Sequence, residues 1–253
     1  MRLLWHKTTT KVFGDSGDKN EDVFLIKPPH ESIRRFVMCD GATSSFAARA
    51  WASLIVKSFA EDNGRSDRER VYDAASGYET QYPPTAMAGM EHCAIEAFKR
   101  GSSSTLLLIV QDGTNHNQLH ITAVGDSCCF VVDRRYHVIK SFPIAEPKIF
   151  STSTPLVTVT FEGLRQLFDE QVSGYYWRRL DIDVSKCRGV KIICATDAIS
   201  QWIAARKASP RSISRLMKAV KTKGCDEFVK FVERERARKK MSVDDSSIAI
   251  LEI

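Results

Sequence analysis

The stretch VMCDGATSSF, residues 37–46, ends an apolar run in Asp40 and Gly41 and then changes at once to a helical pattern. The run has the length and composition of a buried strand. A carboxylate at the end of a buried strand is costly unless a positive group faces it. The segment GVKIICATD, residues 189–197, repeats the arrangement and ends in Asp197. A chain that uses this arrangement more than once is predicted to hold a cation.

The composition is that of a folded protein with a large core. The chain has 253 residues, of which 43% are hydrophobic, and no repeat, low-complexity tract or linker divides it. We therefore expect a single domain over residues 1–253. The longest apolar runs, such as LLLIV, fall well short of a bilayer span, and the opening MRLLWHKTTT is too polar for a signal peptide. Seven cysteines, an odd number without a CxxC pair, favour reduced thiols, so we expect a cytoplasmic protein with no membrane partner.

The positive charge of the chain is concentrated late in the sequence. The net charge is +6, and ERERARKK, residues 233–240, is typical of a solvated helix face with alternating charges. Nucleic-acid binding favours aromatic residues interleaved with basic ones. Phe228 and Phe231 instead fall at helical spacing, which predicts a core position. Nucleic acid is therefore the less favoured partner.

The apolar periodicity predicts an α+β fold. Between residues 102 and 142, β-rich runs are separated by turn signals at DGTNHN and GDS, which predicts an antiparallel meander of three strands. The other predicted elements are strands within residues 23–26, 32–40, 189–197 and 243–253, and helices within residues 45–62, 85–101 and 199–240.

Acidic residues stand at the beginning or end of most of these strand-like runs. Any one of them is typical of a turn or a helix cap, but strand ends from one edge of a sheet can converge on a single rim. Oxygen ligands without supporting His or Cys pairs favour Mg²⁺ or Mn²⁺ over zinc. The acids in question are Glu21, Asp22, Asp40, Asp126, Asp197 and Asp244.

The motifs NED, CDG, SSST, VGDS, ATD and DDSS, in this order over residues 14–253, resemble those of the metal-dependent Ser/Thr protein phosphatases of the PPM, or type 2C, family. The resemblance implies a β-sandwich of two antiparallel sheets flanked by helix pairs, with two Mg or Mn ions at one end. A phosphoprotein substrate would be hydrolysed at phosphoserine or phosphothreonine by a metal-bridging water, without a phospho-enzyme. Carried over to this chain, the resemblance implies that Asp40 bridges the ions, with Glu21 and the Gly41 carbonyl on one ion, Asp197 and Asp244 on the other, and Asp22 holding metal-bound water.

The chain departs from the family pattern at several positions. Ala42 stands where members often carry a His, and Gly17 stands where they carry a phosphate-binding Arg, which leaves Lys19 as the nearest cation and our candidate for that role. Gln201 replaces an acid that helps to hold a third metal, so we expect that site to be weak or absent and Asp126 to serve mainly in its turn.

Two other classes of function remain open at this point. A catalytically silent module that binds phosphoproteins would explain the three departures, and the basic C-terminal helices leave a nucleic-acid-binding accessory protein as a weaker reading. His116 and His120 have the spacing of a zinc pair on a helix, but the surrounding turn residues favour a hairpin. Ser103, Ser104 and Thr105 are predicted to begin a buried strand and not to supply a nucleophile.

Overall fold

Two five-stranded antiparallel sheets form the centre of the protein. The computed structural model describes residues 1–11, 19–25, 34–151, 154–169, 171–187 and 189–253. Sheet I has the strand order β1-β12-β11-β7-β8, sheet II has the order β10-β6-β5-β3-β2, and β4 pairs with β9 in a small ribbon. The strands are β1 Arg2–Thr9, β2 Asp22–Phe24, β3 Arg35–Asp40, β4 Ser103–Ser104, β5 Leu106–Gln111, β6 Gln118–Val124, β7 Cys128–Val132, β8 Val138–Phe142, β9 Val157–Thr158, β10 Arg178–Asp183, β11 Lys191–Ala195 and β12 Ser246–Glu252.

The sheets pack face to face, and helices cover both outer surfaces. Phe36 and Ile109 of sheet II share one buried cluster with Val131 and Ile192 of sheet I. Because the central strands are covered on both faces, they read as continuous apolar runs and not as alternating ones; all five residues of β7 are buried.

Helices on the two outer faces complete the predicted arrangement of helix, sheet, sheet and helix. Trp202, on α6, packs on sheet I together with residues of α7 and α8, and Trp51, on α1, packs on sheet II together with residues of α2 and α4. The helices are α1 Ala48–Ala60, α2 Asp67–Gln81, α3 His92–Arg100, α4 Phe161–Leu167, α5 Ser173–Tyr176, α6 Asp197–Ala205, α7 Pro210–Val220 and α8 Asp226–Ala237. None of these helices, which comprise all those in the described ranges, is long and apolar enough to cross a membrane.

The predicted meander is wrong in its topology. The region forms two hairpins, β5-β6 in sheet II and β7-β8 in sheet I, and the chain crosses between the sheets at residues 125–127. Gly125 makes this crossing possible: its φ is +97°, and a Cβ there would lie 2.7 Å from the Thr105 side chain. The crossing places Asp126 at one end of the sandwich.

Several elements were not predicted, among them β10, α5, β1 and α2. The strand β1 lies in the opening segment, which was considered only as a possible signal peptide. The helix α2 lies in a charged segment with little apolar periodicity. The sequence does carry a start signal for α2, since Ser66 and Glu69 form a reciprocal capping box at its N-terminus. The helix predicted over residues 85–101 is a 3₁₀ turn at Pro84–Met87 followed by the shorter α3.

Candidate metal and phosphate site

The strand register brings the predicted acids to the same end of the sandwich. Asp22 and Asp40 lie directly opposite each other in the β2-β3 pair. In sheet I, Ala195 at the end of β11 lies opposite Cys128 at the start of β7 and opposite Ile248 near the start of β12. The turns that carry Asp126, Asp197 and Asp244 therefore lie at the same end of the strands of sheet I. We call this end of the sandwich the acidic rim; it comprises Glu21, Asp22, Asp40, Asp126, Asp197 and Asp244.

Hydroxyl and amide groups fix the backbone of Asp40. Its N–H donates to Thr105 Oγ1 at 2.9 Å, and its carbonyl accepts from the Thr105 N–H and from Ser104 Oγ, each at 2.9 Å. These contacts give Ser104 and Thr105 a structural role at the site, whereas the sequence predicted only that they begin a buried strand. Burial, followed by the charges of Asp22 and Asp197, raises the pKa of Asp40 well above its ordinary value.

Asp22 is the most buried acid that the sequence assigned to the site, with 5% of its surface exposed. Thr196 Oγ1 donates to its Oδ2 at 3.2 Å, which links sheet II to the end of β11. Its Oδ1 is buried and has no hydrogen-bond partner among the described residues. Burial first, and then the charges of Asp245 and Asp197, raise the pKa of Asp22 to about 8. A buried acceptor of this kind is costly unless a cation or water meets it.

Asp245, which the sequence analysis did not assign to the site, positions the segment that carries Glu21. Its two carboxylate oxygens accept the backbone N–H groups of Lys11 and Glu21, both at 2.7 Å. The Glu21 Oε2 atom is buried and accepts no hydrogen bond within the described ranges; Lys11 Nζ lies 3.6 Å from it. The neighbouring Asp244 accepts the Asp245 N–H at 2.8 Å, so the two adjacent acids face different groups.

Asp197 and Asp126 complete the rim on the side of sheet I. Asp197 is the first residue of α6, and its Oδ1 accepts the Ala198 N–H. Burial, and then the charges of Asp126 and Asp244, raise the pKa of Asp197 to about 7. Burial also raises the pKa of Asp126. Gln201 lies one helical turn after Asp197, where a second acid for a further metal would be needed.

Gly41 is required by close packing of the backbone. A Cβ at this position would lie 3.0 Å from Ala48 and 3.0 Å from the Glu21 carbonyl oxygen. The glycine therefore lets the Glu21 segment and the start of α1 approach each other. This gives the Asp-Gly pair a packing role independent of any metal.

The rim suits a hard divalent cation in its donor chemistry, although it does not form a complete ligand cage. The donors are carboxylate and carbonyl oxygens, which Mg²⁺ and Mn²⁺ prefer, and among the described residues one buried oxygen each of Glu21 and Asp22 accepts no hydrogen bond, although Lys11 Nζ lies 3.6 Å from that of Glu21. Across the described part of the chain, however, no three Asp, Glu, His or Cys side chains lie close enough together to hold one ion. The strand register brings the acids to one region, while the carboxylates of Asp197 and Asp245 accept backbone N–H groups.

Three positively charged side chains line a cavity of about 370 Å³ beside the rim. Lys11, Lys19 and Arg49 line it together with Glu21 and Asp245. The Arg49 guanidinium donates to the Asn20 carbonyl oxygen, which holds it next to the NED motif. Lys19 is the cation that the sequence predicted; Arg49 was missed because it lies on α1, in a part of the sequence distant from that motif. Gly17 lies outside the described residues.

The prediction that residues 233–240 form a solvated face is wrong for two of them. Glu235 is 1% exposed and Arg236 is 8% exposed. The Arg236 guanidinium donates to the carbonyl oxygens of Thr10, at 3.0 Å, and Asp244. Arg236 thus ties the end of β1 to the segment that carries a predicted ligand.

Solved structures of serine/threonine phosphatases share this architecture over the whole chain. Stp1 from Staphylococcus aureus matches with a TM-score of 0.60 and 16% identity, over 100% of this chain and 95% of that chain. PstP/Ppp from Mycobacterium tuberculosis matches with a TM-score of 0.58 and 13% identity, over 100% and 99%. The catalytic domain of PstP in complex with two manganese ions matches with a TM-score of 0.56 and 13% identity, over 99% and 98%.

These matches lie in structure and not in sequence. A scan against protein-family models and a search of curated proteins found no match. At identities of 13–16% the likeness establishes the fold and leaves the activity to be argued from the site. The chain therefore has the fold of the PPM-type serine/threonine phosphatases.

Proposed function

We propose that the protein is a metal-dependent phosphoserine/phosphothreonine protein phosphatase. The observation that carries the proposal is the acidic rim, where buried oxygens of Glu21 and Asp22 have no hydrogen-bond partner in the described residues, next to a cavity that contains Lys11, Lys19 and Arg49. Negative side chains that need cations, beside positive side chains that need an anion, suit a metal-assisted phosphate ester hydrolase.

The proposal assigns each residue a role. Asp40, Glu21 and the Gly41 carbonyl, with Asp197 and Asp244, would hold two Mg²⁺ or Mn²⁺ ions, while Gln201 argues against a third. When bound, such ions lower the pKa of a water molecule and neutralise the charge of the phosphate. Because the assigned groups come from both sheets, the proposal treats residues 1–253 as one catalytic domain.

The remaining roles belong to this chain's other side chains. Asp22 would accept a proton or hydrogen bond from the attacking water, since its Oδ1 is buried and unpartnered among the described atoms. Lys19 and Lys11 would attract the phosphate as point charges, and Arg49 could offer two N–H groups to it. Asp245 and Arg236 would position the segments of Glu21 and Asp244.

A silent phosphoprotein-binding module is the second candidate. The observations that favour it are Ala42 and Gln201, which stand where many phosphatases of this fold have functional side chains, and the absence of a formed three-ligand cluster in the described residues. Such a module would use the cationic cavity without hydrolysis.

The deciding experiment measures phosphate release from phosphoserine, phosphothreonine and phosphotyrosine peptides with Mn²⁺, Mg²⁺ or chelator. The proposal expects release from the first two peptides that chelator abolishes. Asp40→Asn, purified in the same way and shown to be folded by circular dichroism, is the matched control against a contaminating phosphatase. Binding of phosphopeptides without release, at any Mn²⁺ concentration, would establish the silent module instead.

A further inference from the structure

A second cleft opens on the other side of Asp244. It has a volume of about 810 Å³, and its lining comes from α6, from the end of α8 and from the segment that follows α8. Ala205 and Met241 supply apolar surface, and the charged lining residues are Arg206, Arg236, Lys239 and Lys240. We call it the basic cleft. No acidic side chain is among its lining residues.

Two polar atoms in the lining of the basic cleft have no partner within the described part of the chain. The Nε atom of Arg236 is buried and donates no hydrogen bond, although the two terminal nitrogens of the same guanidinium are occupied. The Ser242 hydroxyl is also buried without a partner. A buried donor without an acceptor costs free energy, but both atoms are closed to solvent, so the exposed ammonium groups of the lining are the ones that a ligand in the cleft would contact.

The cleft also carries an excess of positive charge. Lys239 and Lys240 are exposed, and neither ammonium lies within 4.0 Å of a described carboxylate. Arg206 pairs with the buried Glu235 at 2.8 Å, but Glu235 already accepts from Arg215 at 3.0 Å and has further arginines nearby. The single negative charge of Glu235 is thus shared among several guanidinium groups, and the net charge of the cleft stays positive.

The basic cleft begins at the acidic rim. Gln201 lies one turn along α6 from Asp197, about 6 Å along the axis, and Ser242 and Val243 directly precede Asp244. Arg206 lies about two and a half helical turns after Asp197, which corresponds to about 13 Å along the helix axis. An extended peptide advances about 3.3 Å per residue, so this interval corresponds to roughly four residues.

We infer that the basic cleft binds an acidic segment of the phosphoprotein substrate, three to five residues from the phosphorylated side chain. The inference rests on the proposed function, because the distance to the basic cleft is counted from a phosphoserine bound at the acidic rim. Carboxylate side chains of the substrate would meet the exposed Lys239 and Lys240. A single-stranded nucleic acid fits less well, since the described residues of the lining include no aromatic side chain on which bases could stack.

Fluorescence anisotropy with labelled phosphoserine peptides tests the inference without hydrolysis. One peptide carries three Asp residues at positions 3–5 from the phosphoserine and the other carries Asn there, and chelator keeps both intact. The Asp peptide is expected to bind more tightly. The double variant Lys239→Gln/Lys240→Gln should weaken its binding about twofold to thirtyfold, as loss of two exposed ion pairs implies.

The control variant Lys218→Gln/Lys223→Gln removes the same charge from exposed positions that do not line the cleft, and it should keep the preference. Equal binding of the two peptides, or a preference that survives in the Lys239/Lys240 variant, would overturn the inference. Tighter binding of a single-stranded RNA of equal charge, lost in that same variant, would assign the cleft to nucleic acid and overturn it as well. If the peptide preference behaves as expected but Mn²⁺ elicits no phosphate release, the docking surface stands and the proposed activity fails.

Discussion

The adjacent acids Asp244 and Asp245 are predicted to give opposite results when they are substituted. Asp245 holds two backbone N–H groups and is 2% exposed, whereas Asp244 is a predicted metal ligand that accepts one local hydrogen bond. Asp245→Ala should therefore destabilise the protein and impair activity only as a consequence. Asp244→Asn keeps the local acceptor, and should leave the metal-free protein folded while abolishing Mn²⁺-dependent activity.

The magnitude follows from the two contacts of Asp245. Hydrogen bonds to a charged group contribute about 1.5–3 kcal/mol each, so their loss costs about 3–6 kcal/mol. Removing the charge of Asp245 also relieves its repulsion of Asp22 and Asp197, which offsets part of that cost. A net loss of about 2–5 kcal/mol in a protein of this size corresponds to a melting temperature lower by about 4–20 °C. Asp245→Asn, which keeps one acceptor oxygen, should fall between Asp245→Ala and the parent.

Differential scanning calorimetry in chelator gives the stability, and isothermal titration with Mn²⁺ gives the metal affinity of each folded variant. The reasoning would be refuted if Asp245→Ala melted at the parent temperature, because the two hydrogen bonds would then contribute nothing. It would equally be refuted if Asp244→Asn bound Mn²⁺ with parental affinity. A loss of stability in Asp244→Asn as large as that in Asp245→Ala would show that the two acids share one structural role.

Four further outcomes are expected. Asp40→Asn should lose nearly all activity but melt in chelator at or above the parent temperature, because it relieves repulsion among the acids; parental turnover at limiting Mn²⁺ would contradict the metal assignment. Lys19→Ala should lower kcat/KM on a phosphopeptide about ten- to hundredfold at saturating Mn²⁺, as loss of a charge-assisted hydrogen bond implies, and unchanged kinetics would remove Lys19 from the site. Asp126→Ala should change turnover little, because Gln201 leaves a third metal without its second acid; a large loss at constant melting temperature would show that this metal matters. The hydrogen bond that His120 Nδ1 donates to the Asp181 carboxylate raises the pKa of His120, so its stabilisation is complete below about pH 6.5 and disappears as pH rises through the folded-state pKa. Because the ring is nearly half exposed, solvent screening limits the effect of His120→Gln to less than about 1 kcal/mol, which calorimetry should detect at pH 5.5 and not at pH 9.

Continuous apolar runs bounded by acids and glycines predicted the main strands and an α+β domain, and the resemblance of the motifs to the PPM family implied the layered sandwich. Prediction from the sequence failed where local signals were weak or where topology depends on distant partners. The strand β1 pairs with β12 at the other end of the chain, and no local pattern records such a pairing. The division of residues 102–142 between two sheets was also invisible, because a turn at Gly125 reads the same whether the chain reverses within a sheet or crosses to another.

The candidate site was predictable only in part for a related reason. The acids were found because a charged residue at a strand end is conspicuous in a sequence. The groups that position them were missed because their partners are backbone atoms: Asp245 binds the amides of Lys11 and Glu21, and Arg236 binds the carbonyl oxygens of Thr10 and Asp244. Backbone partners leave no trace in residue identity, so such contacts require a structure.

Three of the acids are positioned mainly through their backbone and not through their carboxylates. Asp40 is fixed through its backbone by Thr105, Asp22 through its strand pairing, and Asp244 through its carbonyl oxygen by Arg236. Burial first, and then the charges of neighbouring carboxylates, raise the pKa of Asp22 and of Asp40, so the carboxylates repel one another when they are ionised. The fold therefore holds the acidic rim in place against electrostatic repulsion, and a cation would relieve that repulsion without being needed to build the rim. It follows that substituting a carboxylate separates chemistry from folding, whereas substituting Thr105 or Arg236 should disturb both at once.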